Sequence, residues 1–259
     1  MSRSNPEVKL TNPATKFFEW SGKFGHLSYW DKELPNPDDS TKKGDNVVVK
    51  TPFTFIVLDQ LATVKGYIKA LKSSFFSNEI PKKNIKKDIF KVRTKQGDFC
   101  EGLWEVVKTK DKGIKFTESV YIAFMEGGKL TIGNIGMVGS SLSAWIDFCS
   151  GVKPTKENPS VKESPAHDVE KGAIVITGSF KETNGDTTYF VPIFKQKETS
   201  PETEKTVLDL DRELQVYLKK YFLSKNTSED ISEAEIEKGF DSVAKSTNLI
   251  AEPNDDIPF

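Results

Sequence analysis

Alternating apolar and polar residues predict several β-strands between Phe53 and Phe148, and three of these strands have one basic, partly aromatic face. Side chains two residues apart on a strand share a face, because successive side chains point to opposite sides. The three segments are Ala62–Ala70, Ile89–Lys95 and Lys115–Met125. The polar-face residues that we expect to contact a ligand are Lys65, Tyr67, Lys69, Lys91, Arg93, Lys95, Lys115 and Tyr121.

A face that combines cations with aromatic rings suits a chain of phosphates and bases. The alternative is that lysines on the solvent face of a strand only keep the protein soluble, and that explanation suffices for any single strand. The recurrence of the pattern on three strands of one region favours nucleic-acid binding.

Two further stretches of this region supply candidate contacts. The segment Lys72–Asp88 is predicted to be a loop, and it contains a cluster of four lysines near two aromatic residues: Lys82, Lys83, Lys86, Lys87, Phe75 and Phe76. A charged loop is usually only solvated, but binding residues also concentrate on loops of a rigid scaffold. The segment Phe99–Lys108 is predicted to be a strand, in which Gly102 beside Trp104 would let a flat partner approach closely.

Hairpins are predicted on both sides of this region. Thr15–Trp20 and Phe24–Asp31 are separated by a glycine-containing turn. Their large aromatics either pack in the core, which we favour, or stack on bases: Trp20, Tyr29 and Trp30. A second hairpin joins Ala173–Glu182 to Thr187–Lys195 through the turn signal Asn184-Gly185.

Helical periodicity appears at Gly139–Phe148 and again beyond Ser200, where apolar residues recur at three- and four-residue steps from Val207 to Tyr221. The sequence therefore predicts a mainly β protein with a strand-rich domain at residues 1–198. A small helical region at 199–247 and a flexible acidic tail at 248–259 follow. The helix from Val207 to Leu223 either caps the strands of its own chain or pairs with a second copy, so the oligomeric state stays open.

The formal net charge of −1 hides a strong asymmetry along the chain. Residues 1–197 contain 30 Lys and Arg against 23 Asp and Glu, whereas residues 198–259 contain 7 against 15. A basic body with an acidic end is typical of proteins that bind nucleic acid. Cys100 and Cys149 lie far apart and outside any CxxC pattern, which indicates free thiols in a reducing compartment. With no signal peptide and no membrane span in the sequence, we expect a cytoplasmic protein.

Residues that would indicate catalysis are sparse. The chain has two histidines, His26 and His167, and neither has neighbouring metal ligands in the sequence. No GxxxxGK[ST] loop and no GxGxxG pattern occurs. We therefore expect no cofactor, no metal and no enzymatic activity, although scattered carboxylates could still assemble a two-metal nuclease.

The chain ends in Asp255-Asp256-Ile257-Pro258-Phe259. This segment resembles the acidic tip of bacterial single-stranded DNA-binding proteins, which docks partner proteins of replication, repair and recombination. Residues 252–254 are less acidic than that family leads one to expect. The resemblance implies that Asp255, Asp256, Ile257, Pro258 and Phe259 bind a partner protein.

The body is similar instead to the longer single-stranded DNA-binding proteins encoded by tailed bacteriophages. The similarity spans residues 12–150 and rests on Gly66-Tyr67, Ser77-Asn78-Glu79, Gly102-Leu103-Trp104, Lys115–Tyr121 and Ser143-Ala144-Trp145. It implies an OB-fold, a five-stranded barrel that binds single strands on one face. Such a protein would act in the cytoplasm of a bacterial host.

Together these features predict a protein that binds single-stranded DNA without sequence preference and recruits replication, recombination and repair proteins through its C-terminal tip. A protein-interaction adaptor of the replication machinery is the first alternative, and a metal-dependent nuclease is the second. The sequence leaves the site size, the discrimination between DNA and RNA and the identity of the partner open.

Overall fold

The chain folds as one large β-sheet with helices on both faces, in a computed structural model that describes residues 10–37, 43–69, 72–153 and 163–226. The strands are β1 (Lys16–Ser21), β2 (His26–Pro35), β3 (Lys43–Val48), β4 (Phe53–Ile68), β5 (Ser73–Ser77), β6 (Ile80–Pro81), β7 (Phe90–Thr94), β8 (Gly97–Gly102), β9 (Ile114–Glu126), β10 (Lys129–Met137), β11 (Ala173–Asn184) and β12 (Thr187–Lys197). The helices are α1 (Trp104–Val107), α2 (Ser140–Ser150) and α3 (Pro201–Asn226), with a 3₁₀ turn at Lys82–Asn84. The prediction of a mainly β protein is confirmed.

Neighbouring strands follow the order β3-β2-β1-β10-β9-β4-β5-β7-β8. Strand β11 joins the hairpin β11–β12 to one end of β4, and the short β6 also pairs with β4. Strands β1 and β10 run parallel, and the other described pairs are antiparallel. In the described part of the chain the two ends of this path, β3 and β8, do not meet. The closed barrel implied by the resemblance is therefore not confirmed.

Strand β4 is the central element of the sheet. The sequence predicts a strand at Ala62–Ala70, but the structure has one of 16 residues that already begins at Phe53 and pairs with β9 from Phe55 to Gly66. A bulge between Val57 and Asp59 bends this strand, because an extra residue on one strand increases the local twist. Gly66 is required near its end, since a Cβ there would lie 1.9 Å from the carbonyl oxygen of Gly113.

The main hydrophobic core lies on one face of the sheet, which we call the inner face. Val64 and Val120 are fully buried there, as are Phe75 and Phe90. Helix α2 and the hairpin β11–β12 cover this face, and Trp145 of α2 is also fully buried. Burying each side chain of this size contributes about 1.5–3 kcal/mol, so this layer dominates the stability of the fold.

Both predicted hairpins are confirmed, at β1–β2 and at β11–β12. Two other predictions are wrong in part. The predicted loop Lys72–Asp88 contains β5 and β6, because Phe75 and Phe76 pack as strand residues. The predicted strand Phe99–Lys108 ends at Gly102, and the turn of helix that follows buries Val107 completely. Tertiary packing overrides local β-propensity at that point.

Helix α3 packs on the opposite face of the sheet, which we call the outer face. Its apolar stripe is buried against Leu61, Tyr121 and Ile132, with Leu214 fully covered and Leu218 only 2% exposed. Of the two predicted options, capping its own strands or pairing with a second copy, the helix therefore adopts the first. The rest of the predicted helical region, residues 227–247, and the acidic tail lie outside the described residues.

Candidate nucleic-acid interface

Three of the predicted cations line up across the outer face in one row. Register pairs Arg93 of β7 with Phe76 of β5, Phe76 with Lys65 of β4, and Lys65 with Lys115 of β9. Residues directly opposite each other on neighbouring strands share a face. At about 4.8 Å per strand, this cation row of Arg93, Phe76, Lys65 and Lys115 extends over about 14 Å.

Two members of the cation row have carboxylate partners. The Arg93 Nε lies 2.9 Å from Asp98 Oδ1, and Asp98 is 82% exposed. The Lys65 Nζ lies 3.8 Å from Glu19 Oε1 at the far side of the row. Solvent-exposed or long ion pairs of this kind contribute only about 0–1 kcal/mol. Breaking either ion pair therefore costs little free energy when a phosphate binds the cation in place of the carboxylate.

The floor beside the row carries small side chains. Gly136 of β10 lies between Lys65, Thr117 and Glu19, and a Cβ added there would lie 3.5 Å from the Lys65 Nζ. The hydroxyl of Thr117 is buried and has no hydrogen-bond partner among the described residues. A small-residue floor with a spare polar group lets the backbone of a ligand approach the sheet closely.

Other predicted contacts surround the row at its open side. Tyr67 is half-buried on β4, two residues beyond Lys65 and hence on the same face. Lys91 is exposed on β7, two residues before Arg93. Lys69 and Lys95 are exposed in the turns that follow these strands. The structure thus collects seven of the predicted residues in or next to one surface: Lys65, Tyr67, Lys69, Lys91, Arg93, Lys95 and Lys115.

Tyr121 is a correction to the predicted set. It lies on the outer face but is fully buried beneath α3. Its hydroxyl donates to Glu79 Oε2 at 2.9 Å and accepts from Asn12 Nδ2 at 3.0 Å. Burial, followed by the nearby charge of Glu79, raises the pKa of this phenol well above its usual value. Tyr121 therefore holds the fold together and cannot stack on a base.

Trp104 is a second correction. It begins α1, and its ring packs edge-on against Phe116 of the inner core, with 5.4 Å between the ring centroids. Strand alternation places Phe116 opposite to Lys115, so Trp104 is on the inner side of the sheet. The ring is therefore on the wrong side to stack on a base held over the cation row.

The predicted lysine loop is also separated from the row. Lys82 donates to Glu118 Oε1 at 2.7 Å, and the Glu118 side chain is only 2% exposed. The same oxygen accepts from Trp145 Nε1 at 3.1 Å, so Lys82 neutralises a carboxylate buried in the inner core. Lys83, Lys86 and Lys87 are exposed on the same loop.

An aromatic pair that the sequence reasoning missed lies at the turn between β1 and β2. Phe24 is 49% exposed and stacks on His26 with an interplanar angle of 7° and 5.8 Å between centroids. Lys23 Nζ sits 5.1 Å from the Phe24 centroid. Burial lowers the pKa of His26, which keeps the imidazole neutral at pH 7. The sequence signal that could have identified this pair is an aromatic residue in a glycine-flanked turn, where the hydrophobic core does not bury it.

This pair, which we call the tip pair (Phe24 and His26), lies at the same end of the sheet as Lys115. Strand β1 runs parallel to β10 and β10 antiparallel to β9, so the end of β1 lies beside the start of β9. His26 pairs with Ser21, two residues beyond Glu19, and therefore shares the outer face. The cation row and the tip pair thus flank the small-residue floor.

The other N-terminal aromatics pack into the protein, as favoured from the sequence. Trp20 is 6% exposed, and its Nε1 donates to the carbonyl oxygen of Phe190 at 3.0 Å. Tyr29 packs against Phe18, and the ring of Trp30 lies over Gly44. These three residues are therefore parts of the scaffold that carries the tip pair.

Comparison of the chain with protein-family models, with curated proteins and with solved structures gives no match. In the described ranges, no group of three or more His, Cys, Asp or Glu side chains is placed to hold a metal ion. No helix in that part of the chain is long and apolar enough to span a membrane. The predicted partner-binding residues 255–259 lie outside the described residues.

Proposed function

We propose that this protein binds single-stranded DNA without sequence preference on the half of its outer face that α3 leaves uncovered. The observation that carries the proposal is the cation row. Lys65, Lys115 and Arg93 lie in one line across four neighbouring strands, although they are far apart in the sequence. Lysine and arginine neutralise phosphates and release condensed counterions, which supplies most of a sequence-independent affinity.

Base stacking supplies the second part of the interaction. Tyr67 is half-buried beside the row, and the tip pair presents a ring that is about half exposed. Each true stacking contact contributes about 1–3 kcal/mol and tolerates any base. The backbone of the strand can follow the cations of the row while bases reach Tyr67 beside Lys65 and the tip pair beyond Lys115. Neither interaction reads base identity.

An OB-fold-like unit within the sheet is part of this proposal. An OB-fold is a partly open barrel that binds oligonucleotides on one face of its strands. The long, bent β4, which pairs with β5, β6, β9 and β11, would form its centre. The uncovered half of the outer face would be its binding face.

Recruitment of replication, recombination and repair proteins through residues 255–259 also belongs to the proposal. Its support is the sequence of the last five residues. Phe259 supplies an apolar ring that follows the carboxylates of Asp255 and Asp256 in the sequence, so a basic-rimmed hydrophobic pocket on a partner could bind both the ring and the carboxylates. Deleting Phe259 should abolish partner capture from a bacterial lysate and leave DNA affinity unchanged.

The experiment that tests the central proposal is a titration of polythymidine against the full-length protein at several salt concentrations. Binding with a steep, log-linear loss of affinity on adding salt supports phosphate contacts. No binding at low salt would overturn the proposal and favour the protein-interaction adaptor. Prolonged incubation of labelled strand with magnesium or manganese, followed by gel electrophoresis, distinguishes binding from cleavage.

A further inference from the structure

A cavity of about 390 Å³ lies between α2 and the hairpin β11–β12, on the inner side of the sheet and away from the cation row. This volume lies within the range of small-molecule and side-chain binding sites in proteins. The cavity has an aromatic wall and an acidic rim, and the described residues that line it include no lysine or arginine.

The wall consists of stacked and tilted rings. His167 stacks on Phe148 with 4.3 Å between centroids and an interplanar angle of 15°. Phe148 in turn contacts Phe194 of β12, with 5.7 Å between centroids. Phe180 of β11 remains 45% exposed although it lines the cavity. Such a wall offers flat π-faces to a ligand, which suits a planar group or a cation.

Two carboxylates from different elements make up the acidic rim. Asp147 comes from α2, and Glu182 comes from β11, where it accepts a hydrogen bond from the Tyr189 hydroxyl at 3.1 Å. Partial burial, followed by the charge of Glu182, raises the pKa of Asp147. A cation placed between the two carboxylates would favour the ionised form of Asp147 and would be attracted by both.

The chemistry of the wall and the rim selects among ligands. A phosphate is repelled by both carboxylates, so DNA is not the occupant. An ammonium group is a compact point charge, whereas a guanidinium is planar, stacks on aromatic faces and presents five donors in a fork that matches carboxylates. We propose that this cavity binds the guanidinium group of an arginine side chain presented by a partner protein.

This site is independent of DNA binding, and the two histidines of the chain report on the two surfaces separately. His26 belongs to the tip pair on the outer face, and His167 lines the cavity. The experiment is an NMR titration of full-length protein with isotope-labelled histidine. The probe is N-acetyl-arginine amide, which imitates an arginine inside a protein chain. The His167 signals should shift and saturate, and the His26 signals should stay in place.

Three further probes define the class of ligand. N-acetyl-citrulline amide has nearly the same shape without the charge, and N-acetyl-lysine amide has the charge without the planar fork. Both should bind at least about tenfold more weakly than the arginine probe, which corresponds to about 1.4 kcal/mol. Free arginine carries an additional ammonium and carboxylate that add no net charge, so it should bind no more tightly than the arginine probe. Tighter binding of free arginine would overturn the assignment to a protein side chain.

Matched variants test the acidic rim. Asp147→Asn with Glu182→Gln should weaken the arginine probe by about tenfold or more, while polythymidine affinity stays unchanged. Asp186→Asn removes the same kind of charge from the turn of the same hairpin, outside the cavity lining, and should have no effect. Unmoved His167 signals, equal binding of the citrulline probe or an equal loss in Asp186→Asn would each overturn the proposal. Circular dichroism confirms that the variants are folded.

Discussion

The outer face of the sheet has two halves that share strands β4 and β9 but differ in what lies over them. In the covered half, α3 packs on Leu61 and Tyr121. In the open half, which α3 does not cover, Tyr67 and the three cations of the cation row are partly exposed. The same alternation of side chains along β9 gives Lys115 at the open end and Tyr121 at the covered end. A period-two pattern therefore identifies a second face, but it does not identify what occupies that face.

Mutations in the covered half should mainly lower the stability of the fold, and this is the largest effect that we expect. Leu214→Ala removes a fully buried side chain at the contact of α3 with the sheet. It should lower the free energy of unfolding by about 2–5 kcal/mol. Leu208→Ala on the same helix changes a residue that is 54% exposed and should cost less than about 0.5 kcal/mol. Urea denaturation followed by circular dichroism measures both; equal effects would mean that α3 does not pack as described.

The two tyrosines of the outer face provide a sharper comparison, because the same substitution should have different consequences. Tyr121→Phe removes the hydroxyl that donates to Glu79 in the covered half. The unfolding free energy should fall by about 1–3 kcal/mol, since the partly buried Glu79 carboxylate loses a donor. Tyr67→Phe in the open half should change stability less. Polythymidine affinity should be unaltered in folded Tyr121→Phe, and a loss there would place the binding face under α3.

Mutation of the tip pair should have a smaller effect, and it should change the affinity for DNA rather than the stability of the fold. Phe24→Ala should weaken polythymidine binding by about 1 kcal/mol, at the low end for a stacking contact. The half-exposed ring should contribute little to stability. Phe180→Ala is a suitable control, because that ring is similarly exposed at 45% but lies on the inner side of the sheet. Fluorescence anisotropy of labelled polythymidine measures both affinities, and equal losses would remove the tip pair from the binding face.

The smallest effect concerns the protonation of His26. Burial lowers its pKa in the folded protein below the ordinary value of 6.5. Because the unfolded chain takes up the proton at a higher pH, the neutral ring supports the fold fully above pH 6.5. That contribution is lost as the pH falls through the folded-state pKa. Histidine NMR against pH gives the titration midpoint, and His26→Gln should remove this part of the pH dependence of stability.

Polythymidine should shift that midpoint in a defined direction. Phosphates held near the tip pair favour the charged imidazolium, so bound DNA should raise the pKa of His26. The NMR signals of His167, which lies on the other side of the sheet, should keep their positions at constant pH when polythymidine is added. A His26 midpoint that DNA leaves unchanged would mean that the strand does not reach the turn between β1 and β2.

The sequence pattern placed Lys65, Lys91 and Arg93 on the face opposite to the core, where the structure also has them, because period-two alternation is a local property of each strand. The pattern did not predict that Tyr121 is buried, since the residues that cover it, Leu214 and Leu218, lie almost a hundred positions later in the sequence. Their helical spacing shows that α3 has an apolar stripe, but not which surface the stripe meets.

The register of the cation row could not be predicted either. Strand β7 reaches β9 only through β5 and β4, and pairing between strands that are distant in sequence leaves no local signal. The position of Trp104 could not be predicted for a related reason. The packing of Val107 ends the predicted strand early, so that Trp104 begins a helix instead. The resemblance of residues 255–259 to a partner-binding tip stays a prediction.

The most direct test of the central claim compares the salt dependence of polythymidine binding in two triple variants. One neutralises the row, with Lys65→Gln, Arg93→Gln and Lys115→Gln; the other neutralises the loop, with Lys83→Gln, Lys86→Gln and Lys87→Gln. If the row holds the phosphates, the row variant should flatten the log–log salt slope by about 2, at about 0.7 per lost contact. The loop variant should keep the slope of the unmodified protein. A flattened slope in the loop variant and an unchanged slope in the row variant would contradict the account.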